Sequence, residues 1–345
     1  MSFTGTFIRL ASACGAAMAL ASCQSLPAAE PLSLSAAPCT PPPVDKCVRG
    51  EACGTLVMAQ GPAVNPEMER NYYVDYSCDL KEGEKVNLIL NLHGGGSFGN
   101  WERHYFPAFD YVDEFDLVVA TPNAPPQRWA EVDDAHLEWI VSNLINEIGA
   151  ENIGSFWLAG HSQGGMTSRR IVCSDFFADK VDGVLSLSGG RLGRAQISPD
   201  FYRPSRGETG PRAPRTYPPE VLPECEFSHI YTTGELEIVE LPDTSSWGEK
   251  FGCDARVRQD DIVDTEEGYV FDSLAQENPN PVWGLMPGPG TAEAYIYPNC
   301  EDGRMVADVV RIEKGHTEGL EPEVTQYLLS LMTSVPTGKL ASSAG

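Results

Sequence analysis

The chain has 345 residues, enough for one large domain or two small ones, and its 42% hydrophobic content allows a sizeable buried core. A net charge of −25 argues against nucleic-acid binding through a basic surface and against docking on anionic lipid by charge alone. Acidity on this scale reports solubility and says nothing about substrate.

The N-terminus reads as an export signal. MSFTGTFIRL carries Arg9, and the small, apolar LASACGAAMALAS that follows is too short to span a membrane. LASC at residues 20–23 resembles the bacterial lipobox, which implies removal of residues 1–22, lipidation of Cys23 and a membrane anchor on the periplasmic or outer-membrane side. Gln24 is permissive for outer-membrane sorting; an ordinary signal cut, giving a secreted protein, is the alternative. Residues 23–44, rich in Pro, Ala and Ser, read as a tether holding the domain about 25 Å from the membrane.

The expected catalytic domain covers residues 45–335, with a disordered tail at 336–345. TLVM (55–58) and NYYVDY (71–76) are short strand candidates, whereas VNLILNLH (86–93) and LVVATP (117–122) are apolar throughout, as central parallel strands are. DDAHLEWIVSNLINEIGA predicts a helix with Leu137, Ile140, Val141, Leu144, Ile145 and Ile148 on one stripe, Asp133 or Asp134 capping its start and Gly149 its end. SFWLA before Ser162 reads as strand and MTSRRIVC after it as helix; GVLSLSGG (183–190), EFSHIYTTG (226–234) and ADVVRIEKGH (307–316) are further strands. A last helix, EVTQYLLSLM, puts Val324, Tyr327, Leu328 and Leu331 on one side. Alternating strands and helices predict an α/β fold, a mostly parallel sheet covered on both faces. Residues 191–224, with Arg191, Arg194, Arg203, Arg206, Arg212 and Arg215, and residues 254–296 break the rhythm and read as lid-like insertions. The arginines either meet an anionic group at a site mouth or pair with the acidic body.

Residues 158–166, LAGHSQGGM, crowd glycines around Ser162 where a strand turns straight into a helix: a nucleophile elbow, with Gly160 and Gly164 letting the backbone pass. A serine hydroxyl needs a base, an acid to orient that base, and donors for the oxyanion. In the strand–elbow–helix arrangement the order is Ser, acid, His. Of six histidines only His229 and His316 follow Ser162; His229 lies inside a strand, so His316, after the last strand, is the expected base, and His161 reads as packing. The acid should follow FSHIYTTG. Glu237, three residues past Gly234, is favoured over Glu235, Asp243 and Asp254. HGGG at 93–96 offers oxyanion amides at Gly94 and Gly95, with Gln163 directly after the nucleophile as the second donor. The chemistry requires no metal or organic cofactor. No GxxxxGK[ST], HExxH or CxxC motif is present. Without Cys14 and Cys23, eight cysteines remain at 39, 47, 53, 78, 173, 225, 253 and 300, an even number that suggests disulfides in an exported chain.

HGGG, the helix above, GHSQGG, TGELE, WGEKFGC and YPNC before a terminal GH, in that order, resemble secreted esterases of the feruloyl esterase and polyhydroxybutyrate depolymerase type over roughly residues 50–333. The resemblance implies an α/β-hydrolase fold and a disulfide between Cys253 and Cys300; Cys173, at a helix end, and Cys225, before a strand, form the second expected pair, leaving 39, 47, 53 and 78 to pair among themselves. The family usually has Asp where this chain offers Glu237. Its terminal GHxWPG here reads GHTEG, so the aromatic wall expected beside the histidine is missing. The implied activity is hydrolysis of carboxylic esters, small or polymeric, of the feruloyl, acetyl or polyester class. Acyl transfer, peptide hydrolysis and a non-catalytic binding lipoprotein are the alternative uses of the same scaffold.

Overall fold

The computed structural model describes residues 63–65, 70–125, 127–193, 195–198, 200, 221–269, 281–284, 288–335 and 338–343. The expected signal, Cys23, the tether and the strand at 55–58 lie outside them, as do five of the six arginines of the first insertion. The described strands are β1 (Ala63–Asn65), β2 (Arg70–Tyr76), β3 (Val86–Leu92), β4 (Leu117–Pro122), β5 (Ile153–His161), β6 (Gly183–Leu187), β7 (Gln196–Ile197), β8 (Ser228–Gly234), β9 (Ile238–Glu240), β10 (Val257–Arg258), β11 (Ile262–Val263), β12 (Thr291–Ile296) and β13 (Val306–Arg311). The helices are α1 (Gly99–Tyr105), α2 (Asp134–Ile148), α3 (Gln163–Ile171), α4 (Ser246–Lys250), α5 (Pro322–Thr333) and α6 (Lys339–Ser343).

The main sheet runs β1-β2-β4-β3-β5-β6-β8-β13-β12-β10, with β11 also paired to β12. From β4 to β13 every pairing is parallel, and the strands beyond at either end pair antiparallel. This is the α/β-hydrolase fold. Apolar runs become central strands here because both sheet faces are covered. On β3, Leu88, Leu90 and Leu92 join one core cluster with Leu137, Ile140, Val141 and Leu144 of α2, while Ile89 joins another with Trp101 and Tyr105 of α1 and Val324 and Leu328 of α5. From β3 the chain steps outward through α1 to β4 and returns through α2, on the opposite face, to β5 on β3's other side. The strand order therefore reverses between β3 and β5, where the loops leaving the two carboxyl ends diverge and open a crevice.

Four expectations need correction or refinement. Asp133 precedes α2 without capping it: one carboxylate oxygen accepts the Ala130 amide at 2.6 Å and the other pairs with Arg70. The tail carries α6, with Leu340 buried in the core, the Gly338 amide donating to the Gly154 carbonyl and the Lys339 amide to Asp182. One leucine and one lysine suffice to dock it, too short a pattern to register in the sequence. Much of the described part of 254–296 is sheet edge, with Ala292 and Ala294 facing the core. Arg191, in the first insertion, is buried; it makes a bidentate pair with Asp308 and donates to Tyr297 and the Gly193 and Thr244 carbonyls. For this arginine, pairing with the acidic body is what occurs.

Disulfides join Cys173 to Cys225 and Cys253 to Cys300, and Cys78 is disulfide-bonded as well. Among the described residues no helix is long and apolar enough to cross a membrane.

Candidate active site

Ser162 sits between β5 and α3 with φ 50° and ψ −112°, a left-handed conformation that a non-glycine residue adopts only when its surroundings force it. The forcing comes from the strands on either side. A Cβ on Gly164 would lie 1.9 Å from the Leu92 carbonyl oxygen, and one on Gly160 would lie 2.5 Å from the Gly164 carbonyl carbon. The helix thus starts in backbone contact with the end of β3, and Ser162, at its start, is only half-buried.

His316 follows β13, on the loop leading to α5. Its Nε2 lies 2.9 Å from Ser162 Oγ and its Nδ1 2.6 Å from Glu237 Oε2. Glu237 ends a tight turn after β8, and its other oxygen, Oε1, accepts from the Ser188 hydroxyl at 2.7 Å, the Gly234 amide at 2.8 Å and the Thr233 hydroxyl at 3.2 Å. Burial pushes this carboxyl up, but the His316 imidazole, the Ser188 hydroxyl and the Gly234 amide outweigh it, and its pKa falls below the ordinary carboxylate range. An ionised acid of this kind holds a hydrogen on Nδ1 and leaves Nε2 with the lone pair that can take the serine proton. None of the three rival acids points to His316: Glu235 accepts the Glu313 amide, Asp243 pairs with Arg256, and Asp254 accepts from Asn299.

The glycine loop crosses directly over Ser162. A Cβ on Gly94 would lie 3.5 Å from Ser162 Cβ, and one on Gly95 would lie 3.1 Å from Gln163 Oε1. The Gly96 amide is turned away to the Gln127 carbonyl, 2.7 Å distant. Among the described residues the N–H groups of Gly94, Gly95 and Gln163 donate to no acceptor. The loop is braced from outside: His93 Nε2 accepts the Ala124 amide, Trp129 Nε1 donates to the His93 carbonyl, and the Gln163 side chain bonds both polar backbone atoms of Trp129. Burial lowers the His93 pKa to about 4, so the ring stays neutral and can accept that amide. Among the described residues no group of three or more His, Cys, Asp and Glu side chains is arranged to hold a metal ion.

No protein-family model and no curated protein matches the chain in sequence. Among solved structures it is similar to an acetyl xylan esterase from Aspergillus awamori, at 12% identity over 78% of this chain and 98% of the other, with a TM-score of 0.43. It is also similar to a thermostable esterase, at 17% identity over 50% of this chain and 45% of the other, with a TM-score of 0.34. An S-formylglutathione hydrolase from Staphylococcus aureus matches at 21% identity over 37% of this chain and 55% of the other, with a TM-score of 0.28. The chain thus spans about half the length of the last two. Likenesses this low carry no weight, and the chemistry rests on the distances above.

Several residues at the site have no signature in the sequence. Ser188, at the carboxyl end of the strand beside β5, has φ 52° and aims its hydroxyl at Glu237; only the strand order reveals that β6 ends there. An aromatic wall does stand beside His316, contrary to expectation. The Trp283 ring is edge-on to His316 with centroids 5.0 Å apart, and the Val282 and Trp283 carbonyls accept the His316 and Thr317 amides, each at 2.9 Å. It arrives from a distant insertion, which is why the GHTEG motif gives no hint of it.

Proposed function

We propose that the protein is an exported serine esterase that cleaves carboxylic esters through an acyl-enzyme. The observation that carries this reading is the unbroken hydrogen-bonded chain from Ser162 through His316 to Glu237, with unused amides over the serine. Ser162 attacks the ester carbonyl as His316 takes its proton, and Glu237 stabilises the imidazolium that forms. The amides of Gly94, Gly95 and Gln163 receive the developing oxyanion, already aimed before charge appears. His316 then protonates the leaving alcohol, and water, activated by the same imidazole, releases the acid. The chemistry needs no metal or cofactor. From the sequence resemblance, the substrates are feruloyl, acetyl or polyester-type esters.

Export is supported by the Cys173–Cys225 and Cys253–Cys300 disulfides, a kind of bond that persists in oxidising compartments. We place the cleaved signal at residues 1–22, the lipid on Cys23 and the tether at 23–44, ahead of the catalytic domain. Ser162→Ala should lower turnover of an aryl ester by up to ~10⁶. A variant that keeps most of its activity, in a protein of unchanged melting temperature, rules the reading out.

A further inference from the structure

His161, the residue before the nucleophile, looks from the sequence like packing, and its ring is indeed buried against Tyr105 and Trp101, with centroids 4.1 and 5.1 Å away. Its polar atoms have a more specific arrangement. Nε2 lies 2.8 Å from the backbone carbonyl oxygen of His316. A carbonyl can only accept, so Nε2 carries the hydrogen and the ring donates it. The other nitrogen, Nδ1, has no hydrogen-bond partner among the described residues and lies against the glycine loop, where a Cβ on Gly94 would come within 2.6 Å of it. One neutral ring therefore touches three parts of the site: it adjoins Ser162 in the chain, bears on Gly94, and holds the main chain of His316.

From this geometry we propose that His161 is a positioning residue for the base, fixing the His316 peptide so that the imidazole keeps its aim while its own hydrogen bonds change. The inference rests on the reading of His316 as general base. During turnover Nε2 of His316 passes a proton from the serine to the leaving group, so its bond to Ser162 is the one that must break. The ring's orientation then depends on Nδ1, on its contacts with the Trp283 and His161 rings, and on the main chain. That main chain is held at two points, its N–H by the Val282 carbonyl at 2.9 Å and its C=O by His161. Losing the His161 donor takes away the bond on the carbonyl side of that peptide, so the imidazole is aimed less firmly when its Nε2 bond breaks. A displacement of about 1 Å at a catalytic group costs on the order of 10²-fold in rate.

Three substitutions separate bonding from packing. Gln places its amide nitrogen the same number of bonds from Cβ as Nε2 and can still donate to the His316 carbonyl. Asn places its amide nitrogen near Nδ1, on the Gly94 side, out of reach. Phe keeps the ring and loses the donor. If His161 positions the base, kcat on an aryl ester falls about 10²-fold in H161N and H161F, with KM little changed, and H161Q stays within about tenfold of the parent. Packing alone reverses the order, with Phe best and Gln worst, and that result overturns the proposal. Should H161F fail to fold, Gln against Asn decides: equal kcat values in two variants of equal melting temperature also overturn it. His316→Ala is assayed beside them. Activity surviving that change removes the base itself, a failure distinguishable from an inactive His316→Ala with a fully active H161F, which removes only the role of His161.

Discussion

Glu237→Gln tests the electrostatics of the site with little change in shape. The two carboxylate oxygens have different work: Oε1 accepts from Ser188, Thr233 and Gly234, while Oε2 faces His316 Nδ1. The amide must keep its oxygen at the first position, because three donors converge there, so its NH₂ turns to the imidazole. A donor opposite Nδ1 makes that nitrogen the acceptor and moves the ring's hydrogen to Nε2, where it points at Ser162 and can no longer take the serine proton. The base is then in the wrong tautomer, a change that costs about 10⁴ in kcat, or about 5 kcal/mol of transition-state stabilisation. Stability should hardly move, since the three donors keep their acceptor. Glu237→Ala differs in that respect: it strands the Gly234 amide and the Ser188 hydroxyl at a buried position and should cost about 1–3 kcal/mol of folding free energy besides activity. Initial rates on a chromogenic acetate, with thermal melts of the same preparations, separate the two. The reasoning fails if Glu237→Gln turns over within tenfold of the parent, or if Glu235→Gln falls as far.

Acid should weaken the fold before it hydrolyses anything. Burial lowers His93 to about 4 and His229 to about 3, and lowers His136 and His161 as well. As pH falls below the ordinary 6.5 the unfolded chain binds these protons first, so His93 and His229 each cost about 2 kcal/mol by pH 5. Among the described residues Asp264, pushed up to about 6 by burial, Glu102 and Asp182 act oppositely, gaining their proton first in the folded state, but three carboxyls face four imidazoles. The urea midpoint should therefore drop between pH 6.5 and 5; a flat or rising midpoint contradicts this. Glu102, on α1, is buried with neither carboxyl oxygen bonded among the described residues, and burial holds its pKa well above the usual carboxylate range. Glu102→Met, of similar length, should stabilise the protein by about 1–3 kcal/mol, and a lower melting temperature would show that the carboxyl has a partner after all.

What was legible in the sequence was whatever local chemistry dictates. VNLILNLH reads as a strand buried on both faces because each of its faces meets a helix layer, and LAGHSQGGM reads as an elbow because side chains at 160 and 164 would collide with backbone. The order Ser, acid, His follows from the order of strand ends, which chain position already encodes. Contacts set by strands far apart in sequence were not legible. Ser188 reaches Glu237 because β6 lies between β5 and β8, and Trp283 reaches His316 through main-chain bonds from an insertion with no periodic pattern. Asp133 illustrates a competition that a sequence cannot resolve: helix start and Arg70 both claim one carboxylate, and the ion pair and the Ala130 amide take it.

The choice of glutamate at 237 follows from how β8 meets the loop after β13. Gly234 closes β8 in backbone contact with that loop, where a Cβ would lie 2.2 Å from the Lys314 carbonyl oxygen, and the Leu236 amide donates to the same oxygen at 3.1 Å. The chain then makes one tight turn, and Glu237, at its end, must reach back three residues to take the Gly234 amide while extending forward to His316. One carboxylate closes the turn with Oε1 and bonds His316 Nδ1 with Oε2. An aspartate on the same backbone is shorter by one methylene, about 1.5 Å of bond length, and could satisfy one partner only by releasing the other. Glutamate here and aspartate in the esterases that the sequence resembles are then equivalent in charge and differ in reach, and that reach is fixed by where the turn leaves the acid.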